Sequence, residues 1–131
     1  MIKQQLFIEK YDWHLTVLYK ANKDISAVVE ALWFIKCPSS IATQAIQTII
    51  AKRNNGFCFT NNLIKSTLIG ISETDSDEQL VNTMVHEVKH MQSHICSYYN
   101  IDERSEEAAY LIGDTVEELY KVFKYELVEQ S

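Results

Sequence analysis

The sequence predicts an α+β domain, a small mixed or antiparallel sheet with helices packed on it. Short runs rich in β-branched and aromatic residues fall within 4–20 and again within 56–72. Between and after them, apolar residues recur at helical spacing. The chain has 131 residues, 47% of them apolar, with three Gly and one Pro. That is enough for one buried core and leaves little room for a second, so 1–131 reads as a single domain. The same composition excludes a disordered or fibrous chain.

Residues 4–9 and 12–20 read as two strands divided near Lys10-Tyr11, the second carrying Trp13-His14-Leu15-Thr16-Val17-Leu18-Tyr19. Asp24 suits the N-cap of a helix over about 25–36, whose apolar face is Ile25, Val28, Val29, Leu32 and Phe34-Ile35. Pro38 suits the first turn of a second helix, about 38–53, where Ile41, Ala45, Ile46, Ile49 and Ile50 recur. Asn54-Asn55-Gly56 ends that helix. Gly56 to Thr60 and Lys65 to Ser72 then read as the strands of a hairpin. Ser76 and Gln79 form a capping box, with Asp77 and Glu78 in the first turn, and a long helix follows over about 77–99, closed by Asn100. Asp102 or Ser105 caps a last helix to about residue 128.

The net charge of −6, with one adjacent basic pair at Lys52-Arg53, argues against a partner held by its phosphates, so no nucleic acid is expected. Cys37, Cys58 and Cys96 are an odd, scattered set without a CxxC, which fits small hydrophobes in a reducing compartment. The N-terminal segment has no long apolar stretch, and no run approaches a membrane span, so a cytoplasmic location with no membrane partner is expected.

Residues 86–90 read His86-Glu87-Val88-Lys89-His90, an HExxH motif inside the predicted long helix. The i, i+4 spacing puts both imidazoles on one face, with Cβ atoms about 6 Å apart, so both can bind one Zn²⁺. Glu87 flanks that face and can take a proton from water. Chance produces this pattern on the order of once in a hundred chains of this length and composition. The simple structural alternative is a solvated face: Thr83, His86, His90, His94 and Ser97 lie opposite an apolar stripe of Val81, Met84, Val85, Val88, Ile95 and Tyr99. His94 lies about 12 Å along the axis from His86, too far to share its metal, which leaves it a role supporting the ligands from outside the metal's reach or at the surface, with the surface the default. His14, on a strand, reads as structural.

A catalytic zinc needs a third protein ligand. The next helix opens Glu106-Glu107-Ala108-Ala109-Tyr110-Leu111-Ile112-Gly113. With a core stripe of Ala109, Ile112, Val116, Leu119 and Phe123, Glu106 lies on the flank of the stripe and Glu107 points nearly the opposite way. Small Ala109 and Gly113 would let this helix approach the HExxH helix closely. Glu106 is therefore the expected ligand, with Glu107 second. An acidic first turn favoured by the helix dipole explains both without a metal.

HExxH followed by a downstream helical glutamate resembles the gluzincin metallopeptidases. The chain is more similar still to small zinc peptidases of bacterial mobile elements and phages, which carry a Glu-x-x-Ala-Tyr-Leu-x-Gly segment after HExxH; here it is complete over 106–113. The similarity spans about 65–115. It implies a minimal zincin-like fold, zinc on His86, His90 and Glu106, Glu87 as general base, and a peptide or protein substrate. It also implies that the strand before the motif helix, residues 65–72, is an edge strand able to take up an extended peptide. Only 15 residues separate His90 from Glu106, a short link beside larger gluzincins, and no His or Arg offers itself for the oxyanion. Tyr110 is the one hydroxyl beside the ligand turn, with packing the simpler role. The expected function is zinc-dependent peptide hydrolysis. The alternatives are a non-catalytic module stabilised by zinc and a metal-free accessory protein of a mobile element.

Overall fold

The computed structural model describes the backbone of residues 1–130 and the side chains of 1–125. The elements run β1 (Ile2–Ile8), β2 (Trp13–Tyr19), α1 (Ile25–Phe34), α2 (Ser39–Ala51), β3 (Gly56–Asn61), β4 (Ser66–Ile71), α3 (Asp77–Tyr99) and α4 (Glu106–Gln130). The strands form one mixed sheet in the order β1-β2-β4-β3, which is the expected α+β class. No helix among the described residues is long and apolar enough to cross a membrane.

Local chemistry sets most of the boundaries. The Asp24 carboxylate accepts from Ala27 N at 3.2 Å and caps α1. Ser76 caps α3 by accepting from Gln79 N at 3.1 Å, and Asn100 closes it in the left-handed conformation. Ser105 caps α4 by accepting from Ala108 N. Pro38 stands just before α2 in extended backbone rather than in its first turn.

β3 and β4 form the expected antiparallel hairpin, with Thr60 opposite Thr67. The expectation that residues 65–72 form an edge strand is wrong: β4 lies inside the sheet, antiparallel to β3 and parallel to β2. Thr67 to Ile71 are all buried, as an inner strand with both faces covered requires. The edge beside α3 is β3.

One sheet face carries Leu15, Val17, Ile69 and Ile71, which pack with Met84, Val88, Met91 and Ile95 of α3 and Leu111, Leu119 and Phe123 of α4. The other face sends Leu18, Phe57 and Leu68 to Val28 and Leu32 of α1 and Ile49 of α2. Two helical stripes differ from expectation. In α3, Val81 and Val85 are exposed while Leu80 and Met91 are buried. In α4, Ala108, Leu111 and Thr115 are buried and Ala109 is exposed, so the helix is rotated from the expected phase.

Candidate metal centre

α3 lies across the sheet with its Glu87 side against β3. Thr83 Oγ1 donates to the carbonyl of Asn54 at 2.9 Å, fastening the helix to the turn that leads into β3. Gly56 follows that turn. A Cβ on Gly56 would stand 3.0 Å from Glu87 Cγ and 3.1 Å from its Oε2, so the missing side chain is what lets the strand meet the carboxylate. Burial here is nearly complete: Glu87 is 4% exposed. It has no hydrogen bond or ion pair among the described residues. Burial raises its pKa, and His86 works against that shift. A buried carboxylate without a hydrogen-bond or ion-pair partner costs stability, and such groups concentrate at functional sites. Cys58, the next residue of β3 on this face, has its thiol pKa raised by burial and by Glu87.

His86 and His90 are both exposed on the neighbouring face. Their Nε2 atoms lie 3.2 Å apart. Two nitrogens held about 2.0–2.1 Å from one zinc at a tetrahedral angle are about 3.3 Å apart, so the separation suits a shared metal with little movement. One ligand atom from each of His86, Glu87 and His90 falls within 4.8 Å of the other two. Two imidazoles and a carboxylate are a donor set that suits zinc.

Glu106 and Glu107 are not in that group. Glu106 is exposed at the first position of α4, with no hydrogen-bond or ion-pair partner among the described residues. Glu107 is engaged elsewhere: Tyr11 donates its hydroxyl to it at 2.8 Å and Lys10 pairs with it at 3.3 Å. The Tyr11 hydrogen bond, followed by Lys10, lowers its pKa. Glu107 thus ties α4 to the β1–β2 turn. The expected close approach at Ala109 and Gly113 is absent, since a Cβ on Gly113 would meet nothing within 4 Å. The helices are joined instead by Gln92, 1% exposed, whose amide donates to the carbonyls of Glu103 and Ala108 while its oxygen accepts from Lys89. Tyr110 does not pack; it is 65% exposed and lines a groove with Tyr11 and Glu107. His14 packs against Phe7 with tilted rings whose centroids are 4.9 Å apart, a structural contact.

His94 is more than a surface residue. Trp13 Nε1 donates to Thr67 Oγ1 at 2.9 Å, the Thr67 and Thr60 hydroxyls are 2.7 Å apart, and Thr60 Oγ1 is 2.7 Å from His94 Nδ1. An indole nitrogen only donates. Every hydroxyl proton of this hydrogen-bonded chain is used when Thr67 donates to Thr60 and Thr60 to His94. In that arrangement His94 accepts at Nδ1 and carries its proton on Nε2. The neutral ring agrees with a pKa lowered by burial and by His90. Neither His94's helical position nor its neighbours in sequence reveal this chain, because it depends on the pairing of β3 with β4.

No family model matches this chain, nor does any curated protein or solved structure.

Proposed function

We propose that the chain is a zinc-dependent hydrolase of peptide bonds, with His86 and His90 as metal ligands and Glu87 as general base. The observation that carries this reading is the 3.2 Å separation of the two Nε2 atoms beside a buried, unpaired carboxylate. Held by His86 and His90, a zinc ion would supply a Lewis acid and would lower the pKa of water toward neutrality. The Glu87 carboxylate takes a proton from water and passes it to the leaving amine. Its raised pKa brings it nearer working pH, where a general base is most effective. A wholly structural site would have no need of a buried carboxylate without a partner.

Glu106 is the proposed third ligand. It is unpaired and two residues before Ala108, where Gln92 meets α4, whereas Glu107 is held by Tyr11 and Lys10. The proposed substrate is an extended peptide lying along β3, the edge strand nearest the histidines, in place of β4. Its main chain would add to the sheet there.

Elemental analysis of protein purified without a polyhistidine tag tests the metal. One zinc per chain is expected, and none after joint replacement of His86 and His90 by Ala. Equal zinc in both proteins would refute the site. In a chelator competition, Glu106→Gln should weaken zinc at least about tenfold and Glu107→Gln much less. The reverse order would move the ligand role to Glu107.

A further inference from the structure

The second sheet face is only half covered. α1 and α2 pack over β4 and β3. Beside α1, a groove of about 600 Å³ runs over β1 and β2, floored by Lys3, Gln5, His14 and Thr16. Two adjacent strands span about 10 Å, the diameter of one α-helix. The open lane is therefore one helix wide.

α1 forms the wall of that groove, and its composition is unusual for a surface helix. Of its ten residues, only Ser26 and Glu30 are polar. Val28 and Leu32 satisfy the core of their own chain, yet Val29, Trp33 and Phe34 remain exposed, the last two at 79% and 80%. A helix that is apolar nearly all round is normally covered on more than one side. Exposed aromatics clustered at a groove mark protein contact surfaces.

The charges in the groove indicate what covers it. Lys3 stands on the β1 side and Glu30 on the α1 side, side chains of opposite sign across the same groove. Neither has an ion-pair partner among the described residues. A twofold axis placed along the groove would exchange its two walls and bring the Lys3 ammonium of each copy to the Glu30 carboxylate of the other. Such self-complementarity is what an isologous interface requires.

We propose that a second copy of this chain covers the groove, with the two α1 helices packed about a twofold axis and Lys3 of each copy paired with Glu30 of the other. Trp33 and Phe34 of each copy enter the partner's groove against the exposed Ile64. The surface lies on the sheet face opposite α3, so the metal centre stays open in the dimer.

Sedimentation velocity on the full chain, from about 1 µM to about 1 mM, tests this. A monomer–dimer equilibrium is expected for the unaltered chain. Trp33→Asp should leave only monomer, with circular dichroism confirming its fold. Lys3→Glu and Glu30→Lys should each weaken the dimer about tenfold, and the two together should restore it. The charge pair carries the test by itself if Trp33→Asp does not fold. A chain that stays monomeric at every concentration overturns the proposal. So does a dimer that Trp33→Asp leaves unchanged, or a charge-reversed pair that fails to restore what each single change removes.

Discussion

Glu87 and Glu107 sit on adjacent long helices, and their surroundings push them in opposite directions. Glu87 is buried against Gly56 with no partner, and burial raises its pKa. Glu107 is at the surface, held by Tyr11 and Lys10, and its pKa is lowered. Both were candidates for chemistry in a sequence crowded with glutamates. The difference shows how the fold separates them. A carboxylate with a hydroxyl and an ammonium around it is stabilised as an anion and fastens one element to another. A carboxylate enclosed by a strand, with no hydrogen-bond or ion-pair partner among the described residues, is pushed toward its protonated form at a cost in stability.

The largest expected effect breaks the comparison at the level of rate. On a peptide substrate found by library screening, Glu87→Gln should retain zinc and reduce hydrolysis about 10²–10⁴-fold. Glu107→Gln should leave the rate within about twofold. Equal rates for wild type and Glu87→Gln would remove Glu87 from the reaction. Zinc retained by both proteins with no cleavage of any library member would favour the non-catalytic, zinc-stabilised module.

Two glycines sharpen the same contrast at the level of packing. Gly56→Ala drives a Cβ to 3.0 Å from both Glu87 Cγ and Thr83 Cγ2, on a helix side that Thr83 fastens to the Asn54 carbonyl. A cost of about 1–3 kcal/mol is expected, the range for overpacking a tight contact. Gly113→Ala adds a methyl group where nothing lies within 4 Å. It should stabilise the protein by up to about 1 kcal/mol through helix propensity. Urea titration of both variants checks the pair, and a neutral Gly56→Ala would mean the strand does not press on the carboxylate as described.

Much of this arrangement is legible in the sequence because short-range rules govern it. The Ser76 cap and the Asn100 terminus bound α3, and i, i+4 spacing alone brings His86 and His90 together. The β3–β4 hairpin follows from two β-rich runs around a turn. The placement of β4 inside the sheet depends on a parallel pairing with β2, a long-range contact. Its signal was the unbroken apolar run Leu68-Ile69-Gly70-Ile71, which suits a strand covered on both faces better than an edge. The phase of α4 was obscured by Ala108-Ala109, two small residues either of which could face inward. It is set by Leu111, by a buried Thr115 that interrupts the apolar pattern, and by Gln92 bonding the Ala108 carbonyl. That rotation bears directly on which acidic side chain of the first turn is free.

The smallest effect is a pH dependence whose sign differs between the two glutamates. It is measured on metal-free, chelator-treated protein by urea unfolding between about pH 4 and pH 7, across and above the ordinary carboxylate range. Glu87 has a folded pKa above its unfolded value, so the native state holds its proton more tightly. Its favourable contribution is present at low pH and is lost as pH rises through the folded pKa. Glu87→Gln removes that loss, so the variant should gain on wild type as pH rises. Glu107 has a folded pKa below its unfolded value. Its contribution is present above the unfolded pKa and is lost as pH falls through the folded one. Glu107→Gln should therefore lose ground to wild type as pH rises over the same interval. Plotted as differences from wild type, the two variants should diverge toward neutral pH and converge toward acid. Parallel curves would mean that the two carboxylates experience the same environment. Curves that diverge in the opposite sense would place the counter-charge at Glu87 instead of Glu107, and the assignment of base and structural tie would have to be exchanged.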